Sequence, residues 1–267
     1  SYSSFPDKFF KIGNKTNYNE SEKYTYNQFY FNAQISRKFV KNINFGVRVD
    51  FQRVFSIDYE PNGYLQQIYG DIKNGFVTAG LGVSASLDKR NNTYSPDKGY
   101  FAQIYIVDYN DFFKSDYTFT NINLDFRKFL KSSKSSVIAL QLFSNINVGS
   151  IIPVRNLSGI GGTTISRGYY DSRFIDKNSA IIQAEFRQSL ENVPISFFKN
   201  FGVVFFGSFG DVFSTPNQLS FKLLKTAIGT GLRYAINKSQ RINLRIDVGY
   251  NVFDRTFAPL FQIGEAF

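Results

Sequence analysis

The sequence predicts an all-β chain, a transmembrane antiparallel β-barrel with about twelve strands. Three observations predict it. Apolar residues recur at every second position in segment after segment, and none of these segments shows the 3.6-residue repeat of a helix. No run approaches the roughly 18 apolar residues of a membrane-spanning helix, although the chain carries 31 Phe and 17 Tyr. The segment Thr256–Phe267 places Phe257, Pro259, Phe261, Ile263 and Phe267 on one parity and ends on an aromatic residue. A strand of that pattern puts its apolar side chains on a single face.

The elements follow in order. A weak strand surrounds Phe9. Phe29, Phe31, Ala33 and Ile35 then alternate with polar neighbours, and Phe45, Val47, Val49 and Phe51 do the same. Val77 to Leu87 alternates with Thr, Gly and Ser, and a weaker strand covers 100–109. Ile122, Leu124 and Phe126 come next, then Ile138, Leu140 and Leu142 running on to Ile146 and Val148. After a long segment come Ile182, Ala184 and Phe186, a weaker strand at 202–213, Ile228 to Tyr234, Ile242 to Tyr250, and the terminal strand. Strands of about ten residues suit a tilted membrane barrel; strands of soluble domains average about five or six. Polar punctuation separates them, as at Glu60-Pro-Asn-Gly63 and Ser214-Thr-Pro-Asn217. Neither a linker nor a domain boundary interrupts them, so residues 1–267 read as a single barrel domain.

The polar parity carries paired opposite charges: Arg48 with Asp50, Asp125 with Arg127, Glu185 with Arg187, Arg245 with Asp247. Such pairs stay hydrated in a lumen, whereas on a lipid face an Arg at the bilayer midplane would cost about 2–4 kcal/mol. This parity assigns Phe29, Phe31, Leu81, Val83, Leu124, Leu140, Ile182, Ile246 and Ile263 to lipid, and Arg48, Asp125, Glu185, Arg233 and Asp247 to the lumen.

Composition narrows the function. Cys, Met, Trp and His are absent, which excludes disulfides, thiolate or imidazole metal sites, and Ser-His or Cys-His catalytic pairs. No Gly-x-Ser-x-Gly elbow occurs. The chain reads as a non-enzyme with no catalytic, cofactor or metal residues. The net charge of +10 is scattered and forms no dense patch. It suits a solvated surface and charged lumen, or contact with anionic headgroups or lipopolysaccharide, better than nucleic acid.

The long segment, about 154–178, contains Gly159-Ile-Gly-Gly-Thr-Thr-Ile-Ser-Arg-Gly-Tyr-Tyr170. Further motifs surround it: Gln183-Ala-Glu-Phe-Arg187, Phe206-Gly-Ser-Phe-Gly210, Gly229-Thr-Gly-Leu-Arg233, Arg245-Ile-Asp-Val-Gly249 and Phe261-Gln-Ile-Gly-Glu-Ala-Phe267, with Leu87-Asp-Lys-Arg-Asn-Asn92 and Pro96-Asp-Lys-Gly99 upstream. In this order they resemble the bacterial surface antigen superfamily of outer-membrane barrels, which includes BamA- and TamA-type assembly factors and two-partner secretion transporters. The resemblance covers about 75–267 well and the beginning weakly. It implies that Ser166, Arg167, Gly168 and Tyr169 form the hydrophobic-Arg-Gly-aromatic tetrad of a loop folded into the lumen. Ser166 departs from the usual apolar residue, with Ile165 one place earlier. Glu185 is then the better partner for Arg167, and Ser208, where relatives have Asp, the weaker one. Phe261, Ile263 and Phe267 resemble the C-terminal barrel signal.

The resemblance also implies a location in the bacterial outer membrane and help with inserting or secreting proteins there. Its partners would be outer-membrane lipid, lipopolysaccharide, and other outer-membrane or periplasmic proteins. The alternatives are an accessory barrel in a larger complex, the anchor of a fused surface enzyme, or a passive pore, which the long loop argues against. Nothing reads as a periplasmic polypeptide-transport-associated (POTRA) domain. Five strands follow the loop, as in the family's sixteen-strand barrel, but only about seven precede it. Phe5-Pro-Asp-Lys-Phe-Phe-Lys-Ile-Gly13 looks like a mid-barrel segment, so a cropped barrel is expected.

Overall fold

A computed structural model describes residues 2–219 and 223–267. Twelve strands form one antiparallel sheet: β1 (Tyr2–Phe9), β2 (Glu22–Val40), β3 (Ile43–Tyr59), β4 (Phe76–Asp88), β5 (Gly99–Tyr109), β6 (Phe119–Lys131), β7 (Ser136–Val148), β10 (Asn178–Ser189), β11 (Phe201–Phe213), β12 (Lys225–Asn237), β13 (Ile242–Asn251) and β14 (Thr256–Ile263). Each pairs with its neighbour in sequence order. Inside the β7–β10 connection, β8 (Ser158–Ile160) and β9 (Phe174–Asp176) form a separate two-stranded ladder. One helix of six residues, α1 (Tyr64–Tyr69), is the longest helical element described. Glu22 fixes its start, its carboxylate accepting from the backbone N–H of Tyr64 (2.5 Å) and Leu65 (3.1 Å), where the helix end favours negative charge.

Period-two patterning places the two faces. Phe31, Leu81, Val83, Leu140, Ile182, Ile246 and Ile263 are all exposed on the outside, and Leu124 is half-buried. Asp125, Glu185, Arg233 and Asp247 are buried on the inside, with Arg48 partly so. The interior is therefore polar, as in a water-facing lumen. The predicted pairs along each strand form, from 2.6 Å for Arg127–Asp125 and Arg187–Glu185 to 3.8 Å for Arg48–Asp50. The largest apolar cluster lies at the end with the longer connections. There Phe9, Tyr24, Val54 and Leu65 pack with Val154 and Ile175 of the long loop.

The sheet is not closed: β1 and β14 form its two edges and do not pair among the described residues. One detail differs from the sequence expectation. The terminal strand stops at Ile263, and Gly264, at φ +94°, turns the chain away from it. Phe261 and Ile263 point outward, but Phe267 is buried against Phe129 and Ala139. Parity counted along one straight strand does not survive a residue in the left-handed region.

Candidate functional site

The connection from β7 to β10, residues 149–177, runs back into the barrel. Its apex is Thr163 to Tyr169, and every strand from β10 to β13 has a hand in holding it. Ser166 occupies a left-handed conformation (φ 49°) and its N–H donates to Gln183 Oε1 on β10 at 3.3 Å. Gln183 Nε2 in turn donates to the Thr164 carbonyl at 2.9 Å and to Gln141 Oε1 on β7 at 2.6 Å. Arg245 on β13 donates to the Thr163 carbonyl (2.9 Å), Asn251 to the Gly168 carbonyl (2.9 Å), and the Tyr169 hydroxyl to the Thr226 carbonyl on β12 (3.0 Å).

Arg167 is the centre of this arrangement and is 2% exposed. One arm of its guanidinium pairs with Glu185 on β10; the other meets Asp247 Oδ2 on β13 at 2.5 Å. Its Cζ lies 3.7 Å from the ring centroid of Phe206 on β11, where a cation is attracted to the π face. A planar fork with several donors can join two carboxylates on strands that are not neighbours; a lysine ammonium cannot do so with the same geometry.

The backbone must come very close for this to work. Gly168 has φ +126°, which favours glycine. Across from it, a Cβ on Gly249 would lie 2.5 Å from the Arg167 carbonyl oxygen. The loop thus rests directly on the bare backbone of β13.

The charges extend beyond Arg167. Glu185 also binds Arg187 (2.6 Å), and Asp247 binds Arg233 (2.6 Å) and Arg245 (3.5 Å). Arg233 continues to Glu265 (2.8 Å), just beyond β14. Four guanidiniums and three carboxylates, all buried or nearly so, form one chain from the loop apex to the residues after the edge strand. Buried charges persist when each is paired in this way.

Ser208 does not take part. Its hydroxyl is buried without a hydrogen-bond partner, and the Phe206 ring on the same inward face takes the place beside Arg167. Sequence reasoning placed Asp247 in the lumen but missed it as a partner of Arg167. The available signal was its inward parity, two residues before Gly249 on the same face of β13. A second anchor was also missed: Arg173 is fully buried, pairs with Asp254 (2.7 Å) and donates to Thr16 (2.8 Å), tying the loop to the β13–β14 and β1–β2 connections.

Upstream, the turn after β4 holds itself by Arg90 gripping Asp88 with two donors at 3.0 and 2.7 Å. Asp97 then reaches Lys131 (3.1 Å) and Arg241 (3.5 Å), so this turn touches the β12–β13 turn across the barrel mouth. Among the described residues no cluster of His, Cys, Asp and Glu could hold a metal ion.

The model of the Omp85 superfamily domain matches residues 1–267. Among solved structures, BamA from Haemophilus ducreyi lacking POTRA domains 1–3 superposes with a TM-score of 0.67 at 12% identity, covering 98% of this chain and 57% of that one. CdiB from Acinetobacter baumannii gives 0.57 at 17% identity, covering 91% of this chain and 43% of that one. The chain thus spans about half the length of these solved relatives. No curated protein sequence matches it.

Proposed function

Since the chain belongs to the Omp85 superfamily, a family of outer-membrane barrels, we propose that it assists the insertion or secretion of other proteins at the outer membrane. One observation carries this reading: the ion-pair chain that runs from Arg167 through Asp247 and Arg233 to Glu265, next to the unpaired edge of β14. In this reading Ser166, Arg167, Gly168 and Tyr169 are a lock. They brace the wall formed by β10 to β13 from inside, while the outer edge of β14 has no strand partner among the described residues. A free edge of that kind accepts an incoming strand by backbone hydrogen bonding, and a braced wall keeps the edge in register while it does so. The same lock holds the loop inside the barrel, which disfavours a passive pore. No catalytic step is assigned, and other outer-membrane or periplasmic proteins would deliver the client.

The test uses the full-length protein in proteoliposomes with a urea-unfolded outer-membrane barrel as client. The chain has no Cys, so a single photoreactive group attached through Leu260→Cys on β14 is unambiguous. The proposal expects faster client folding than in empty vesicles and client crosslinks at position 260, with none from Leu124→Cys on β6. Unchanged folding rates, or equal crosslinking at both positions, would refute it.

A further inference from the structure

The end of the barrel with the shorter connections carries a feature beyond the loop apex, where the ion-pair chain of the lock reaches Arg187, Arg233 and Glu265. A cavity of about 440 Å³ opens there, lined by seven cationic side chains and only three carboxylates. Two of the cations are built into its wall. Arg187 is 7% exposed and Arg233 5% exposed. Arg187 spends Nε on Glu185 (2.6 Å) and Nη2 on the Phe267 carbonyl (2.9 Å), while its Nη1 is buried without a partner. Arg233 spends Nε on Glu265 (2.8 Å) and Nη1 on Asp247 (2.6 Å), and its Nη2 is likewise unpartnered. Both nitrogens are closed off within the wall, so the attraction for an anion comes from the excess of cationic over acidic side chains around the opening. Around them, Lys134 and Lys199 are exposed and make no ion pair among the described residues.

We propose that this mouth is a docking pocket for an acidic peptide segment presented from the periplasm. The orientation comes from the architecture: outer-membrane barrels place their short turns on the periplasmic side. The proposal rests on that orientation and not on any transport activity. The choice of a carboxylate-bearing peptide over a lipid phosphate follows from parity. Arg187 and Arg233 lie on the lumen face, and their neighbours Phe186, Leu232 and Tyr234 are the ones exposed toward lipid, so a headgroup in the bilayer does not reach them. The cavity also already takes carboxylates of its own chain. Asp97 bridges Lys131 and Arg241, and Glu265 sits on Arg233, so side-chain carboxylates fit its geometry. Clustered like charge at a confined opening would also speed encounter with an acidic partner.

The experiment titrates the full-length protein in neutral detergent against a fluorescent hexaglutamate peptide, read by anisotropy. Two variants are compared at equal net charge. Lys134→Glu/Lys199→Glu alters the pocket; Lys15→Glu/Lys73→Glu alters the opposite mouth, where both lysines are exposed. The proposal expects saturable binding that weakens as salt rises, is at least tenfold weaker in the first variant and is unchanged within about twofold in the second. Equal weakening in both would mean that net charge alone attracts the peptide, and would overturn the site. No saturable peptide binding, with retention of anionic vesicles instead, would overturn the peptide assignment in favour of lipid. Neither variant touches the Arg167 lock or the β14 edge, so client folding measured on the same samples separates failure of this pocket from failure of the transport reading.

Discussion

Replacing Arg167 by Ala removes two charge-assisted contacts, to Glu185 and to Asp247, and one stacking contact on Phe206. Each charge-assisted bond contributes about 1.5–3 kcal/mol. The stacked cation adds about 0.5–2 kcal/mol. Against this, neither carboxylate is orphaned, because Arg187 still holds Glu185 and Arg233 and Arg245 still hold Asp247. The full penalty of an unpaired buried charge is therefore avoided, and the net loss should be about 3 kcal/mol, the low end of the range for breaking a buried pair that leaves a lone charge. It falls on loop docking, not on the strand ladders, whose hydrogen bonds are untouched. Hydrogen exchange of residues 160–170 in detergent should thus speed up by a hundredfold or more, since about 1.4 kcal/mol is a factor of ten, while exchange in β12 and β13 stays slow. Arg167→Lys keeps the charge but reaches one carboxylate, so it should lose roughly half of that protection. A double-mutant cycle with Glu185→Gln should show coupling of about 1 kcal/mol or more. Less than a tenfold change in Arg167→Ala, or full protection in Arg167→Lys, would refute the bridging argument.

Three further outcomes follow from the geometry. Gly249→Ala should lift the loop off β13, because its Cβ would sit 2.5 Å from the Arg167 carbonyl oxygen; overpacking of this kind costs about 1–3 kcal/mol, and protease cleavage confined to 160–170 would reveal it. Phe267→Ala empties a buried site beside Phe129 and Ala139 and should cost about 3–5 kcal/mol, read as a lower melting temperature of the detergent-folded barrel; a shift within error would mean that the tail does not pack. At Asp97 burial pushes the carboxyl up, but hydrogen bonds from Lys131 and Asn91 and the nearby Arg241 outweigh it and hold it below the usual carboxylate value. The bridging of the two turns should therefore be fully present above the ordinary Asp value near 3.9 and be lost as pH falls through the lower folded-state value; Asp97→Asn should remove that acid-side change in exchange at 89–98.

What the sequence determined alone was everything that depends on parity and local chemistry. A strand's side-chain period is two, so alternation identified the strands and their faces without knowledge of the fold. Arg48, Asp125, Glu185 and Asp247 could be assigned to the lumen in this way, and the Gly-rich stretch before Arg167 marked a loop able to turn inward. The tertiary structure decided which inward groups meet. Asp247 lies 80 residues from Arg167 and becomes its partner only because β10 to β13 line up side by side, leaving Gly249 as bare backbone beneath the loop. Ser208 had the right face but lost its place to the ring of Phe206 two residues away. Phe267 had the right parity and still turned inward, because Gly264 broke the strand on which parity was counted. The basic mouth was illegible for the same reason. It is assembled from turns that alternate along the chain, and their proximity is a property of the curled sheet, not of any segment within it.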